Sequence, residues 1–485
     1  MRAIVILFSL VSIAPFSAFA EDPISAAPPS EEYGRIGKEI EALEKQYKTP
    51  YPAMLNAARN YVSVKAKEKE LEATRAGRRG ARWDSVGISG GINRSRTNPR
   101  NTTDPSSENA STSMSASISI ALTSWFADRG IKLTEEIQRN AMRALQLQLA
   151  IEAANAHYEF TKSTNQLVLV GSIGSNLENL KFCAEAGAIQ LNPENKALLD
   201  VQLTAVQLKL ETIEAQLESA QSTLKRLIGK PYPNVLPLYK ALLQETRRIR
   251  REDFCKISKD KGKVNAKLSQ IPWDKIDTTF PVPATVAESA RIARSSPALV
   301  TAGLSTDMAR NQWHLAMAGL APVLSFNFSR GRSELSSGGA SFSQESDTYT
   351  VSLGFQIRGG IAYHLRSAEL LEDAARLNAR ATELQILNSL EHSYLGLRSA
   401  RASVQLTEHS LRYTIFPALN AINSIDDSNL KVVLSLFEVA TAQVDALVAG
   451  INAYTLQRAS ILAQNGSLLR VIDGLKNQPE ASRPR

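Results

Sequence analysis

The 485-residue sequence is poor in the residues that carry most enzyme chemistry. Its two cysteines, Cys183 and Cys255, make no disulfide framework in so long a chain. They leave two readings open: one bridge, or two buried thiols. The five histidines (His157, His314, His364, His392, His409) are scattered, with no metal-ligand spacing. No H-E-x-x-H, G-x-S-x-G, C-x-x-C or phosphate-loop pattern occurs, and "GSIGS" from Gly171 sits in a helical stretch rather than after a strand. These absences argue against an enzyme, and no metal or cofactor is expected. The net charge of +8 is spread out, with no basic stripe interleaved with aromatics, so no nucleic-acid partner is expected. Long apolar runs are missing too: after residue 20 none approaches the roughly 18–20 residues of a spanning helix. A chain of this kind that enters a membrane must do so with strands.

The N-terminus is apolar enough for a leader. "MRAIVILFSLVSIAPFSAFA" has Arg2, an apolar run and Ala18-Phe19-Ala20, the pattern of a cleaved signal peptide over residues 1–20. The mature chain is then expected outside the cytoplasm. Residues 21–32 are Pro- and Ser-rich and read as loose, 33–48 as a short helix, and 53–80 as a second helix with a basic end.

Two strands follow, at about 83–95 and 112–125, joined by a polar loop. In "STSMSASISIAL" Met114, Ala116, Ile118, Ile120 and Leu122 alternate with Ser113, Ser115, Ser117 and Ser119. That period of two marks a strand with one apolar and one hydroxyl face. A long helical hairpin spans about 131–228, turning at "AGAIQLNPEN". Its return arm places Leu203, Val206, Leu210, Ile213, Leu217, Ala220, Leu224 and Leu227 in a heptad seam. Residues 230–283, basic and proline-containing, read as a linker.

The plan then repeats over 284–475: a helix, strands at about 322–330 and 348–357, and a hairpin at about 361–475, before a tail at 476–485. Leu324, Phe326 and Phe328 oppose Ser325, Asn327 and Ser329; Tyr349, Val351 and Leu353 oppose Thr350 and Ser352. "SWFADRGIKL" overlays "GFQIRGGIAYHL", which makes Gly130, Gly359 and Gly360 equivalent strand-to-helix junctions. The first repeat is residues 21–229 and the second 284–475. Each strand is long enough to cross a bilayer in a tilted barrel. Water inside and lipid outside explain the two faces. Ser115, Ser117, Ser119, Ser325, Asn327 and Ser352 are then lumen-facing. Four strands close no barrel, and eight from two chains leave no lumen. Three chains give twelve strands and, by the same symmetry, twelve long helices. The expected fold is mainly α with membrane β: a homotrimeric twelve-stranded β-barrel continuing into a twelve-helix α-barrel.

This duplicated order resembles the TolC family of outer-membrane efflux and secretion channels, over nearly the whole mature chain. "SSPALVTAGLSTDMARNQWHLAMAGLAPVLSF" resembles the family's helix-to-strand passage, and "LLDVQLTAVQLKLETIEAQLESAQSTLKRLIG" and "SLFEVATAQVDAL" its two return helices. The resemblance implies a passive conduit across the outer membrane of a Gram-negative bacterium. Its periplasmic helix tips would open on docking a periplasmic adaptor protein and an inner-membrane ABC or proton-driven exchange transporter. By motif position Asp200 and Glu438 are candidate gate carboxylates, and Asp426 and Asp427 lie in the second tip turn. A further acidic position lands on Thr441, and the tyrosine and arginine that lock some members fall near Asn429 and Leu434, so that lock is not reproduced. The proline common at the strand-to-helix junctions is absent from both. The rival is a secreted or periplasmic coiled-coil adhesin or scaffold. It explains the leader and the helices but not four bilayer-length amphipathic strands. The cargo, drug or polypeptide, is not legible, since efflux and type I secretion use the same duct.

Overall fold

In a computed structural model the described residues run from 50 to 471. The stretches 85, 98–107, 121–122, 231, 233, 243, 245–270, 272, 321–322, 338–339, 355–359 and 422–426 are left out, and 35–36 and 38–39 are described before residue 50. The leader, the tail, Cys255, Gly359 and Asp426 lie outside the described residues.

The elements run α1 Tyr51–Asn60, α2 Val62–Asp84, β1 Val86–Thr97, β2 Glu108–Ile120, α3 Thr123–Glu185, α4 Pro193–Ile228, α5 Trp273–Thr279, α6 Val286–Ala293 and α7 Pro297–Ala318. Then come β3 Val323–Ser337, β4 Ala340–Gly354, α8 Ile361–Ser410, a π-helical turn Leu411–Ile415, α9 Phe416–Asn420 and α10 Leu430–Gln464. The helix expected over 53–80 is divided at Tyr61, whose extended backbone separates α1 from α2. The helix expected before β3 is likewise two, α6 and α7, because Pro297 restarts the chain at a first helical turn.

The chain divides into two compact units, each fed by both sequence repeats. One comprises the described residues of 66–143 and 297–385. It holds a single antiparallel sheet in the order β1-β2-β3-β4. The strands differ from the expected bounds of 83–95, 112–125, 322–330 and 348–357. β3 and β4 extend far into the residues expected as polar loop. There the period of two continues, but Arg330, Arg332 and Glu334 replace apolar side chains, so a search for apolar alternation stops too early.

The helix after β2 begins at Thr123, so Gly130 lies within α3 and is not the bend. Its lack of a side chain serves packing. A Cβ there would meet Asn311 Nδ2 at 3.1 Å, and that amide donates to the Phe126 carbonyl at 2.8 Å. Gly360 does precede a helix, α8, and its carbonyl accepts from the His364 amide at 3.2 Å. The basic end of α2 finds partners on α3. Arg75 bonds Glu135 at 2.9 Å and Arg78 bonds Asp128 at 3.1 Å. The Arg75 hydrogen bond holds the Glu135 carboxyl below its usual range despite burial.

The other unit comprises the described residues of 1–65, 144–296 and 386–485. Here Leu203, Ile213, Leu217, Ala220, Leu224 and Leu227 of α4 are buried, as the heptad reading expects. Gly229, at φ 71°, ends the helix in the left-handed conformation glycine adopts freely. Helix α10 is long and apolar enough by length and composition to cross a membrane, a run that sequence inspection passed over. Its apolar residues instead enter the core: Leu430, Leu434, Val444, Leu447, Ile451 and Tyr454 pack with Leu199 and Leu203 of α4. The buried Arg458 guanidinium bonds Asp277 Oδ1 (2.9 Å), the Asp277 carbonyl (2.7 Å) and the Phe280 carbonyl (2.8 Å), fixing α5 to α10. A cation pointing into α10's surroundings in this way has its donors occupied by oxygen, which makes the burial tolerable. Cys183 is buried and disulfide-bonded; the one other cysteine in the sequence is Cys255.

His157 is buried on α3 with Nδ1 3.0 Å from the Tyr232 hydroxyl. Burial pushes its pKa down to about 4. The unfolded chain then binds a proton that the folded chain refuses between pH 6.5 and 4. Stability is therefore expected to fall by about 3 kcal/mol as pH drops through that window. Acid-dependent unfolding of the detergent-solubilised protein checks this. The His157→Gln variant should lose most of the slope in that window, and an unchanged slope would assign it to other groups.

Candidate functional site

The sheet sorts its residues by face. On one face Ile118, Phe326 and Val351 stand opposite one another, and Phe328 stands opposite Tyr349 with ring centroids 5.0 Å apart. Tyr349 is 76% exposed and Val351 65%. Beyond the Phe328–Tyr349 pair the same face turns ionic. Arg330 bonds Glu345 at 3.1 Å and lies 3.7 Å from Asp347, while Arg332 bonds Glu334 at 3.1 Å. An apolar band bounded by aromatics and then by charge is the pattern that outward faces of membrane barrels carry. Trp125, 62% exposed, and Phe126 make an edge-to-face pair in the first turn of α3, and aromatic residues of this kind favour a membrane interface.

The opposite face is hydroxyl and amide. Register brings Ser89, Ser117, Asn327 and Thr350 into one row, and Gly91, Ser115, Ser329 and Thr348 into the next. Asn93, Ser113, Gly331 and Ser346 form a third, and Ser95, Ser111, Ser333 and Gln344 a fourth. Neighbouring hydroxyls bond across strands: Ser89 to Ser117 at 2.6 Å, Ser95 to Ser111 at 2.7 Å and Ser325 to Ser352 at 2.6 Å. The six positions expected to face a lumen, Ser115, Ser117, Ser119, Ser325, Asn327 and Ser352, share this face by register. The sheet is open, with β1 and β4 as its edges.

The second part of the site is where the two hairpin turns meet. Asn192 caps α4, its Oδ1 accepting from the Asn195 amide at 2.7 Å, and Pro193 takes the first helical position, where no N–H is needed. The Asp427 carboxylate sits at this helix start. It accepts the Asn192 backbone N–H (2.8 Å), the Asn192 side-chain amide (2.9 Å) and the Asn195 side-chain amide (2.7 Å). A negative charge is favoured there by the unpaired N–H groups and the helix dipole. Asn195 is buried and also donates to the Asp427 carbonyl at 2.9 Å. Lys431 adds a surface pair to Glu194 at 2.6 Å, worth little on its own. Beneath lie Ile189, Leu191, Leu430, Leu411, Ile415 and Phe416 in one apolar cluster. The π-helical turn belongs here too. Pro417 has no N–H to give back, and the turn before it widens so that the Phe416 N–H reaches the Leu411 carbonyl.

The four candidate gate carboxylates therefore have different surroundings. Asp427 is fully engaged with the other hairpin. Asp200 is paired with Lys181 at 2.6 Å across its own hairpin. Glu438 is exposed on α10, and no described residue pairs with it. Asp426 lies outside the described residues. Sequence reading missed Asn192 and Asn195, although Asn-Pro-Glu is a helix-start signature and a helix start attracts a carboxylate.

Residues 290–415 match the family model of the outer membrane efflux proteins. That stretch, about a quarter of the chain, is similar to this family. Its members are TolC-type channels of the outer membrane with a periplasmic extension, not enzymes. The fold matches solved structures across nearly the whole chain. CusC aligns with a TM-score of 0.61 at 14% identity, covering 92% of this chain and 99% of that one. MtrE of Neisseria gonorrhoeae, an outer-membrane channel solved in its open state, aligns at 0.57 and 14%, covering 86% and 89%. CmeC of Campylobacter jejuni, also an outer-membrane channel, aligns at 0.55 and 14%, covering 93% and 90%. No curated protein matches the sequence.

Substituting Asp427 by Ala removes three charge-assisted acceptor contacts from the first tip. Amide hydrogen exchange over residues 191–196 is expected to accelerate about ten- to hundredfold. Exchange unchanged from wild type would show that the apolar cluster alone holds the two turns together.

Proposed function

We propose that this outer-membrane efflux protein is a passive, homotrimeric exit duct. Its barrel is built from four strands of each of three chains, and its helical tips are held closed until an inner-membrane transporter and a periplasmic adaptor engage them. The observation that carries the reading is the open, two-faced sheet. Its apolar face is exposed in the single chain, its other face is hydroxyl, and both its edges lack a strand. Lipid tolerates no unpaired backbone edge, so copies must close it. Helix α8 supports the same closure between copies, with Leu370, Ala374, Leu377, Ala381 and Leu384 at heptad spacing. Leu370 is 52% exposed and Leu377 is 72% exposed in one chain, a coiled-coil face awaiting a neighbouring helix.

Within this reading Asp427 acts as a latch between the two hairpins of one chain, and Glu438 supplies the free carboxylate of the tip. Three copies of Glu438 around a threefold axis would favour cations. Asp200 is not needed for either role, since Lys181 compensates it.

Purified wild-type protein in planar bilayers is expected to show rare, small openings with a cation preference. Asp427→Ala should raise the mean conductance about tenfold, and Glu438→Gln should reduce the cation preference without opening the channel. Absence of any conductance in Asp427→Ala would contradict the latch. Unchanged selectivity in Glu438→Gln would remove that residue from the tip.

A further inference from the structure

Charge is distributed unevenly between the two ends of the strand-bearing unit. Toward the β3–β4 turn the charges are of both signs and pair: Arg330 with Glu345 and Asp347, and Arg332 with Glu334. At the end where strands meet helices stand four exposed cations, Arg79, Arg129, Lys132 and Arg310, and none of them pairs with a carboxylate among the described residues. The packing of α3 places all four on one side. It meets α2 through Asp128 and Glu135, which take Arg78 and Arg75, and α7 through Phe126 and Gly130, which adjoin His314 and Asn311. At about 100° per residue, Trp125, Arg129 and Lys132 fall within roughly 60° of one another, on one of the two arcs between those contacts. Helices α2 and α7 run toward the sheet as α3 leaves it. With Arg75 and Arg78 turned to α3, Arg79 faces the side on which Arg129 stands. With Asn311 and His314 turned to α3, Arg310 and Met317 face that same side. Trp125 and Met317, both exposed, occupy the turns next to the sheet. The four cations are rooted roughly 7–14 Å along the helices from that end. Carboxylates come later on this side: Glu136 lies further from the sheet than Lys132, and Glu72, paired with Lys69 at 2.7 Å, further than Arg79.

We propose that this belt is a binding surface for anionic phospholipid, with Arg79, Arg129, Lys132 and Arg310 holding headgroup phosphates of the leaflet that faces the helices. The inference rests on the trimeric-channel reading, which turns one side of the helix layer to the membrane. The order apolar side chain, cation, carboxylate is the order an anionic leaflet favours from hydrocarbon to water. Tryptophan anchors at the boundary between hydrocarbon and headgroups. Arginine and lysine rooted just beyond that boundary reach back to phosphate oxygens while their stems cover apolar surface. Three of the four cations are arginines, whose planar fork suits phosphate. Because no carboxylate neutralises them, the four keep their full attraction for an anion. The paired charges at the other end of the sheet lack that attraction, which confines the preference to one leaflet. An acidic protein is the rival occupant of a basic surface, and the apolar side chains beside the sheet favour lipid over it.

The test mixes the detergent-extracted full chain with phosphatidylglycerol or phosphatidylcholine of the same acyl chains, and native mass spectra count the lipids each assembly retains. Wild type is expected to retain phosphatidylglycerol over phosphatidylcholine by more than about fivefold. The variant Arg79→Gln/Arg129→Gln/Lys132→Gln/Arg310→Gln should retain the two equally. A preference that survives in it overturns the proposal and leaves the belt to an acidic protein. Three wild-type chains without the preference overturn the proposal alone, whereas a wild-type monomer overturns the trimeric reading and the proposal with it. Inorganic phosphate at the concentration of the lipid should not displace phosphatidylglycerol; if it does, the belt reads free phosphate rather than a lipid and the proposal fails. A second measurement leaves the cations intact, so it stands even if the four-residue variant does not fold. In phosphatidylglycerol vesicles with brominated acyl chains, Trp125 should be among the quenched tryptophans, and Trp125→Phe should remove a quenched component. An unquenched Trp125 puts this side away from lipid and overturns the proposal.

Discussion

Backbone hydrogen bonding at the edges of one small sheet governs the rest of this molecule. Four antiparallel strands satisfy one another inside the sheet and leave β1 and β4 with unpaired N–H and C=O groups. In water such an edge is an aggregation risk; in a bilayer core it cannot stand. Closure between copies removes the edges and makes a lumen at the same time. The two faces then follow. The outward face is apolar, banded by Phe328 and Tyr349, and becomes ionic beyond them. The opposite face carries only Gly, Ser, Thr, Asn and Gln over the four rows described.

The same logic of incompleteness extends to the helices. The seam of α4 is satisfied within the chain, where Leu203 to Leu227 pack inside the helical unit. The seam of α8 is not, since Leu370, Leu377 and Leu384 remain exposed. One hairpin arm thus holds the chain together and the other is free to hold neighbours. Between the hairpin turns, Asp427 binds Asn192 and Asn195, whereas the lock that the resemblance leads one to look for near Asn429 and Leu434 is not reproduced. Asp427 reaches a helix start that Asn192 and Pro193 have prepared. A latch of this type combines strong charge-assisted bonds with an apolar cluster underneath, so it can be tuned without dismantling the helices.

Most of the architecture was legible in the sequence, because periodicity is set by geometry. Period two gave the strands, and the heptads gave the return helices. The duplicated order carried the resemblance to the TolC family. What escaped had other physical causes. The outer halves of β3 and β4 keep the strand period with charged residues, which an apolar pattern cannot register. Gly130 looks like a bend between strand and helix, yet it lies inside α3 to let Asn311 approach. Asn192 and Asn195 act through contacts more than two hundred residues distant in sequence, and no local rule pairs Asn192 with Asp427. Helix α10 carries Glu438, Asp445 and Arg458 among its apolar residues, so no unbroken apolar run stands out in it, and one face of it enters the core.

The account stands on closure of the sheet by other copies of the same chain. Native mass measurement of the detergent-extracted, unheated protein tests this most directly. A single species of three chains is predicted, resistant to dilution. A monomer that stays folded in detergent, or a chain that is soluble without it, would contradict the account.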